Sequence, residues 1–341
     1  MRALFPRQAG FFSDGGSRRT GFTILELLTG MAIFAIVLVV LLSTISQTSS
    51  IWRRAKNEAG SFQSARFAFN LITRTLSQST LNTYVDYDIP SQPTRYIRKS
   101  DLAFVITPPP VTNFGQGNAI FFQAKLGGAR DLARHGGMTG LLNAVGYYVT
   151  YDTYATTAGL PAFLVPRDRH RFRLMQYLQP SEDLKVSSVS NRSWYTDDLA
   201  ANSTVVADDV ILLLFWPKLS DKDDTTADGT KLTDAPNGDG HYSYDSRNNV
   251  TANPQPDTAN QQPPMVQVTM VAIDKASADR LADSPTPPPE ISTLLNGLFT
   301  QAGKSSYQAD LQKLETGLNT ARIGYRIFNG TVALRESKWS K

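Results

Sequence analysis

A nearly unbroken apolar segment close to the start of the chain dominates its hydrophobic pattern. It runs from Phe22 to Leu42 and contains a single ionisable residue, Glu26. Because an α-helix rises about 1.5 Å per residue and the hydrocarbon core of a bilayer is about 30 Å thick, this segment can cross a membrane as a helix. A carboxylate is costly in lipid, so Glu26 is a candidate functional residue.

A helical repeat of apolar residues continues beyond this segment. It has steps of three and four residues, near the 3.6-residue period, at Ile51, Ala55, Ala59, Phe62, Ala65, Phe69, Ile72 and Leu76. No proline occurs between Phe22 and Ile89. We therefore predict a helical segment over residues 22–82, with a transmembrane part at 22–42 and an amphipathic half that packs on a globular domain. Two helices broken at the Ser/Thr-rich residues 43–50 are the alternative.

After Asn82 the pattern changes to short β-like runs separated by proline and glycine. The candidate strands are Leu102–Thr107, Ala119–Gln123, Val145–Tyr151, Arg171–Leu178, Val205–Trp216, Met265–Asp274 and Arg322–Arg335. The run Val210–Trp216 is typical of a strand buried on both faces. In the last strand the apolar residues change parity at Asn329-Gly330, which suggests a bulge or a tight turn. A short helix is predicted over Tyr307–Asn319.

These elements predict an α+β fold, in which the long N-terminal helix packs on a mainly antiparallel β-sheet. The globular domain is expected to occupy residues 83–341.

Residues 217–264 are rich in Asp, Asn, Thr, Gly and Pro, and almost none of them is expected to join a core. We interpret the segment as a mobile surface loop. The alternative is a calcium site, since the loop offers hard oxygen donors at Asp234, Asn237, Asp239 and Asp245. Their spacing lacks the ordered ligands of an EF-hand, so no cofactor is expected.

The formal charge of +4 gives little support for nucleic-acid binding. Most of the excess comes from four arginines within residues 1–21, and no nucleic-acid partner is expected. One basic stripe remains as an alternative, because Arg167, Arg169, Arg171 and Arg173 would fall on one side of a strand. The chain has no cysteine, which excludes disulfides and cysteine nucleophiles.

No pattern typical of catalysis occurs in the chain. The three histidines, His135, His170 and His241, are far apart in sequence, and neither a Gly-x-Ser-x-Gly elbow nor a P-loop is present. We therefore expect a protein that is not an enzyme.

The N-terminal residues resemble a known family. Arg18 and Arg19 precede Gly21-Phe22, which is followed by a threonine, two aliphatic residues, Glu26 and the apolar run. This order is similar to the N-terminus of type IV prepilins and type II secretion pseudopilins. The resemblance implies that a prepilin peptidase and methyltransferase removes residues 1–21 by cutting between Gly21 and Phe22, and then methylates the amine of Phe22. Glu26, at the fifth mature position, would pair with the Phe22 amine of a neighbouring subunit.

The resemblance also implies a location and partners. The basic residues before the span favour a cytoplasmic N-terminus. The chain would then cross the bacterial inner membrane once, with a periplasmic body, and later enter a pilus or pseudopilus.

The body looks like the J-type minor pseudopilins in its size and in the strands around Val145–Val149, Arg171–Leu174, Val210–Trp216 and residues 322–328. Its closing residues also look like a pilin-like cassette family. A J-like subunit would lie at the filament tip and contact other pilin-like subunits and exported cargo. The alternatives are an unprocessed, membrane-anchored binding or adhesion protein and a pilus-borne adhesin.

Overall fold

The computed structural model describes residues 24–110, 117–153, 170–185, 193–220, 222–225, 228–233, 241–282 and 284–337. The chain divides into two compact units, Met1–Lys56 and Asn57–Lys341. We call the second unit the body.

Six α-helices, one short 3-10 helix (Ser181–Asp183) and twelve strands are assigned in the described part of the chain. The helices are α1 (Ile24–Leu76), α2 (Leu132–His135), α3 (Ser193–Thr196), α4 (Lys275–Leu281), α5 (Pro289–Leu295) and α6 (Lys304–Thr320). The strands are β1 (Ser79–Thr80), β2 (Tyr84–Tyr87), β3 (Tyr96–Lys99), β4 (Val105–Thr107), β5 (Ala119–Lys125), β6 (Leu142–Thr153), β7 (His170–Gln179), β8 (Ser203–Asp208), β9 (Val210–Lys218), β10 (Tyr244–Asp245), β11 (Met265–Ile273) and β12 (Tyr325–Ala333).

The strands form three antiparallel sheets. A seven-stranded sheet has the order β10-β4-β5-β6-β7-β8, with β1 paired to the end of β5. A three-stranded sheet has the order β12-β11-β9, and β2 pairs with β3 in a separate hairpin. The predicted α+β class with mainly antiparallel sheets is confirmed.

Helix α1 is continuous through the Ser/Thr-rich residues 43–50, so the alternative of two helices is wrong. Within the body its buried face carries Ala65, Ala68, Ile72 and Leu76, each at most 1% exposed. Phe62 and Phe69 pack against the same core. The amphipathic repeat therefore marks the buried face correctly at Ala65, Ile72 and Leu76, while Ala68 is a buried residue that the repeat did not include. The side chains at 51, 55 and 59 lie outside the described ones.

An aromatic cluster covers the face of the seven-stranded sheet that is opposite α1. Trp194 and Tyr195 of α3 pack on Phe121 of β5 and Tyr177 of β7. The rings of Phe121 and Tyr195 are stacked with centroids 4.1 Å apart. Gly146 of β6 lies directly beneath Phe121, and its missing side chain leaves the room that this ring occupies.

The predicted strand Val205–Trp216 is in fact two strands in different sheets. The chain leaves β8 of the seven-stranded sheet and enters β9 of the three-stranded sheet at Asp209, whose φ is 65°. A left-handed residue cannot continue an extended strand, and aspartate tolerates this conformation better than most residues. From Val210 to Pro217 every residue of β9 is buried, as the apolar run predicts.

The interpretation of a bulge or turn at Asn329-Gly330 is wrong. Strand β12 pairs with β11 in one register from Tyr325 to Ala333. The apolar residues of β12 change parity because both faces of this strand are packed against helices. Phe328 stacks on Phe69 of α1 with ring centroids 5.8 Å apart, while the Asn329 Nδ2 donates to Tyr307 Oη of α6 at 3.1 Å.

The expectation that residues 217–264 stay out of the core is wrong for the described part of this segment. Tyr242 and Tyr244 are buried, and β10 extends the seven-stranded sheet. Polar side chains of the segment also reach the body, since Asn260 Nδ2 donates to the Arg98 carbonyl at 2.6 Å and Ser79 Oγ donates to Gln262 Oε1 at 3.0 Å. The segment packs through hydrogen bonds that a hydrophobic pattern does not reveal.

Candidate functional site

The first part of α1 is long and apolar enough to cross a membrane. The qualifying span is Ile24–Ile45, 22 residues with a mean hydropathy of 2.7. Its large apolar side chains are exposed on all sides of the helix, from 44% at Leu38 to 82% at Ile24. Such a surface is stable only in lipid or against other protein chains, so this segment requires a non-aqueous environment.

Glu26 is exposed in the first turn of α1. It is the only ionisable residue between Ile24 and Ile45. The first turn of a helix favours a negative charge, because its backbone N–H groups and the positive end of the helix dipole lie there. A carboxylate at this place in an otherwise apolar surface can form a strong pair with a cation brought by another chain.

The threonine hydroxyls of this helix are bonded within the helix itself. Thr29 Oγ1 donates to the Leu25 carbonyl at 2.6 Å, and Thr44 Oγ1 donates to the Val40 carbonyl at 2.7 Å. Thr48 makes the same bond to Thr44 at 2.8 Å. These hydroxyls therefore need no water, which suits a helix surrounded by lipid.

The residues of the predicted cleavage site, Gly21 and Phe22, lie outside the described residues. The same holds for three of the four calcium candidates, Asp234, Asn237 and Asp239. The fourth, Asp245, belongs to β10, and its Oδ1 accepts from the Arg247 backbone N–H at 2.9 Å. Among the residues that the structure describes, no group of three or more His, Asp or Glu could hold a metal ion. The calcium site stays a prediction.

The proposed basic stripe on β7 is wrong at the two arginines that can be checked. Arg171 pairs with Asp209 at 3.0 Å and with Asp279 of α4, and Arg173 lies 3.6 Å from Asp208. Both arginine side chains are nearly buried, at 12% and 11% exposure. Their charges are neutralised inside the body and do not form a surface for nucleic acid. The sequence signal for these pairs is Asp208-Asp209 at the end of a strand, but only the fold shows which arginines it meets.

Asp209, which is mostly buried and pairs with Arg171, is a group whose protonation makes the stability of the body depend on pH. Burial raises the pKa of Asp209 to about 6, although the nearby Arg171 acts in the opposite direction. An aspartate in an unfolded chain has a pKa of about 3.9. Between these values the folded body binds a proton that the unfolded chain does not, so Asp209 favours folding increasingly as the pH falls.

We expect Asp209→Asn to remove this pH dependence. Asparagine is neutral at every pH and tolerates the left-handed backbone at this position. Because one pKa unit corresponds to about 1.4 kcal/mol, the free energy of unfolding of the wild type should gain about 2 kcal/mol on that of the variant between about pH 7 and about pH 4. Urea unfolding followed by tryptophan fluorescence measures the difference, and Glu290→Gln, at an exposed position, controls for the loss of a charge. A constant difference between wild type and Asp209→Asn would contradict the assignment.

His135 is not isolated in the fold, although it is in the sequence. Its Nδ1 lies 3.1 Å from Glu182 Oε1, and the Glu182 carboxylate also accepts from the backbone N–H groups of Arg130 and Asp131. These backbone bonds are the main cause that lowers the pKa of Glu182 to about 2. The carboxylate thus ties the loop that carries α2 to the end of β7.

Comparison with known proteins identifies the N-terminal segment. A scan against protein-family models matches residues 16–42 to the prokaryotic N-terminal methylation motif. A search of curated proteins and a search of solved structures found no match. The matched range includes the basic pair, the Gly21-Phe22 junction, Glu26 and most of the apolar span. The chain therefore has the N-terminal motif of a type IV pilin-like or pseudopilin precursor.

Proposed function

We propose that this chain is the precursor of a minor pilin-like subunit, a pseudopilin of a type II secretion or type IV pilus-like system. The observation that carries the proposal is the methylation motif at residues 16–42, joined to a helix whose apolar side chains are exposed all round. The helix first anchors the precursor in the bacterial inner membrane, with the N-terminus in the cytoplasm and the body in the periplasm. After processing, the same helix leaves the lipid and packs among the helices of other subunits.

The proposed chemistry uses three residues. The prepilin peptidase cuts between Gly21 and Phe22 and methylates the new amine of Phe22. Glu26 then accepts the positive charge of a neighbour's Phe22 amine, which sets the axial position of the incoming subunit. In an apolar environment opposite charges attract strongly at short distance, so pairing with the amine favours the placement that brings the two groups together. The helical position of Glu26 and its exposure support this role.

A tip position is the finer part of the proposal. The size of the body and the resemblance of its strands to J-type minor pseudopilins support it. A subunit at the tip contacts other minor subunits on one side and exported protein on the other. The motif itself applies equally to shaft and tip subunits.

The first test is the mass of the mature protein. We expect chain purified from cells that contain a prepilin peptidase to begin at Phe22 and to carry one extra methyl group on its amine. In cells without the peptidase, and for Gly21→Leu in cells with it, the chain should keep residues 1–21. Intact-mass spectrometry with N-terminal fragmentation distinguishes these forms.

If chain isolated from cells with an active peptidase still carries residues 1–21, the proposal is wrong. That result would support the second candidate, an unprocessed membrane-anchored binding or adhesion protein. The second candidate needs the same span but has no use for Glu26.

A further inference from the structure

Strand β12 is one of the two outer strands of the three-stranded sheet, and it leaves a regular free edge. Its bonds to β11 are made by the even-numbered residues, since Leu334 N–H donates to the Pro264 carbonyl and Asp274 N–H donates to the Gly324 carbonyl in the same register. The odd-numbered residues from Tyr325 to Ala333 therefore point their N–H and C=O groups away from the sheet. Among the described residues, none provides a backbone partner for them.

This edge has none of three common protections of edge strands, which are short length, proline and a bulge. It is 9 residues long, contains no proline, and shows no shift of register against β11. The outer strands of the seven-stranded sheet are shorter, since β10 has 2 residues and β8 has 6, and β8 is also interrupted by a register shift against β7. Proteins commonly protect an outer strand by shortening it or by a bulge, because a long regular edge pairs readily with another strand.

Apolar side chains flank the edge on both sides. Phe69 and Phe328 lie on the α1 side and are only partly buried, while Tyr325 and Ile327 lie partly buried on the side of α6. A strand added beside β12 would cover the first pair with side chains of one parity and the second pair with side chains of the other. The edge of β12, lying between these two pairs of side chains, therefore favours an extended segment with apolar residues on both faces.

The charges along β12 define the occupant further. Arg326 lies within β12, Arg322 and Arg335 lie just beyond its two ends, and all three are exposed. No Asp or Glu occurs between residues 322 and 335, and the following Glu336 lies 3.9 Å from Lys125. None of these arginines forms an ion pair with another described residue. An incoming strand with acidic residues would neutralise them, whereas a second β12 would bring three more arginines to the same seam.

We propose that the outer edge of β12 binds an extended acidic segment of a partner protein, which adds a fourth strand to the three-stranded sheet. The backbone groups of β12 provide affinity, the flanking apolar side chains select apolar residues on both faces of the added strand, and the arginines select acidic residues. This inference rests on the body alone and does not depend on the proposed processing at Gly21-Phe22.

The test uses the full chain in detergent and two synthetic peptides matched in length to the 9 residues of β12. The first peptide carries valine on both faces of the extended strand and glutamate at its two ends and its middle, and its twin has lysine in place of glutamate. We expect the acidic peptide to bind at least about tenfold more tightly than the basic one, as measured by fluorescence anisotropy. Hydrogen exchange should show new protection at the odd-numbered amides of β12 when the acidic peptide is added.

Variants at the edge separate strand addition from general charge attraction. Thr331 has an outward N–H, so Thr331→Pro removes an edge donor without removing a bond to β11, while Thr331→Val keeps the donor. We expect the proline variant to bind the acidic peptide about tenfold more weakly and the valine variant to bind as wild type does. Arg326→Glu should weaken binding about fivefold and reduce its dependence on salt. Near-ultraviolet circular dichroism checks that each variant is folded, and Arg326→Glu with hydrogen exchange still tests the edge if the proline variant does not fold.

Three results would overturn the proposal. The first is equal binding of the acidic peptide to wild type and to a folded Thr331→Pro variant. The second is the absence of new protection at the β12 amides in the presence of the acidic peptide, whether or not the peptide binds. The third is dimerisation of the full chain that protects the same amides and excludes the acidic peptide, since the edge would then serve a second copy.

Discussion

Glu26→Ala is expected to lower the incorporation of the chain into filaments by at least about tenfold, because the variant loses the charge pair that we propose places one subunit against the next. Processing should continue, since the substitution leaves Gly21 and Phe22 unchanged. The variant should accumulate in the membrane, because an apolar span without its carboxylate is more stable in lipid. Immunoblots of sheared filaments and of membranes measure the two pools, and intact mass confirms the processed N-terminus.

The control for this experiment lies one turn further along the helix. Thr29 donates its hydroxyl to the Leu25 carbonyl, so Thr29→Ala removes a polar group that is already bonded within the helix. We expect this variant to assemble as wild type does. Equal incorporation of Glu26→Ala and wild type would remove the role assigned to Glu26, while leaving the processing experiment as an independent test of the proposed function.

The second large effect is expected in the core of the body, where Gly146→Val should destabilise the fold by about 3 kcal/mol or more. A Cβ atom at this position would lie 3.0 Å from the Ile120 carbonyl oxygen and in collision with the ring of Phe121. That ring is held between β6 and Tyr195, so it cannot move without opening the aromatic cluster. Urea unfolding followed by tryptophan fluorescence measures the loss.

Two further variants test whether the loss of stability comes from the collision with Phe121. Gly137 has no atom within 4 Å of the place of a Cβ, so Gly137→Ala should change the free energy of unfolding by no more than about 0.5 kcal/mol. The double variant Gly146→Val/Phe121→Leu should recover part of the loss, because the smaller side chain makes room for the valine. A fully stable Gly146→Val variant would show that the cluster is not tightly packed.

The sequence predicts the elements whose hydrophobic pattern has one clear period. The buried face of α1 at Ala65, Ile72 and Leu76 follows from a repeat near 3.6 residues, and β9 follows from an uninterrupted apolar run. The predicted helix Tyr307–Asn319 is confirmed as the larger part of α6. In these segments local pattern and tertiary burial agree, which is why the pattern alone is sufficient.

The sequence fails where burial depends on residues far away in the chain. The two strands around Asp209 look like one, because the left-handed backbone of a single aspartate leaves no mark on the apolar pattern. The parity change in β12 looks like a turn, although it reflects coverage by α1 on one face and α6 on the other. The polar segment after β9 looks unpacked, because its buried groups are satisfied by distant hydrogen bonds such as that from Asn260 to Arg98.

The candidate functional residues also divide into those that the sequence predicts and those that only the fold reveals. Gly21, Phe22 and Glu26 follow from a short linear motif that needs no fold, and the family match covers all three. The pairs of Arg171 with Asp209 and of His135 with Glu182 join residues 38 and 47 positions apart, so spacing in the sequence could not identify them.

The internal bonds of Thr29 and Thr44 affect how the helix can change its surroundings. A hydroxyl that is satisfied by its own helix has the same partner in a lipid bilayer and in a bundle of neighbouring subunits. Transfer from one medium to the other therefore breaks no bond at these residues. Under the proposed function, the energetic difference between stored precursor and assembled filament would be concentrated at the carboxylate near the amino end, which would make that position the control point for recruiting a subunit from the membrane.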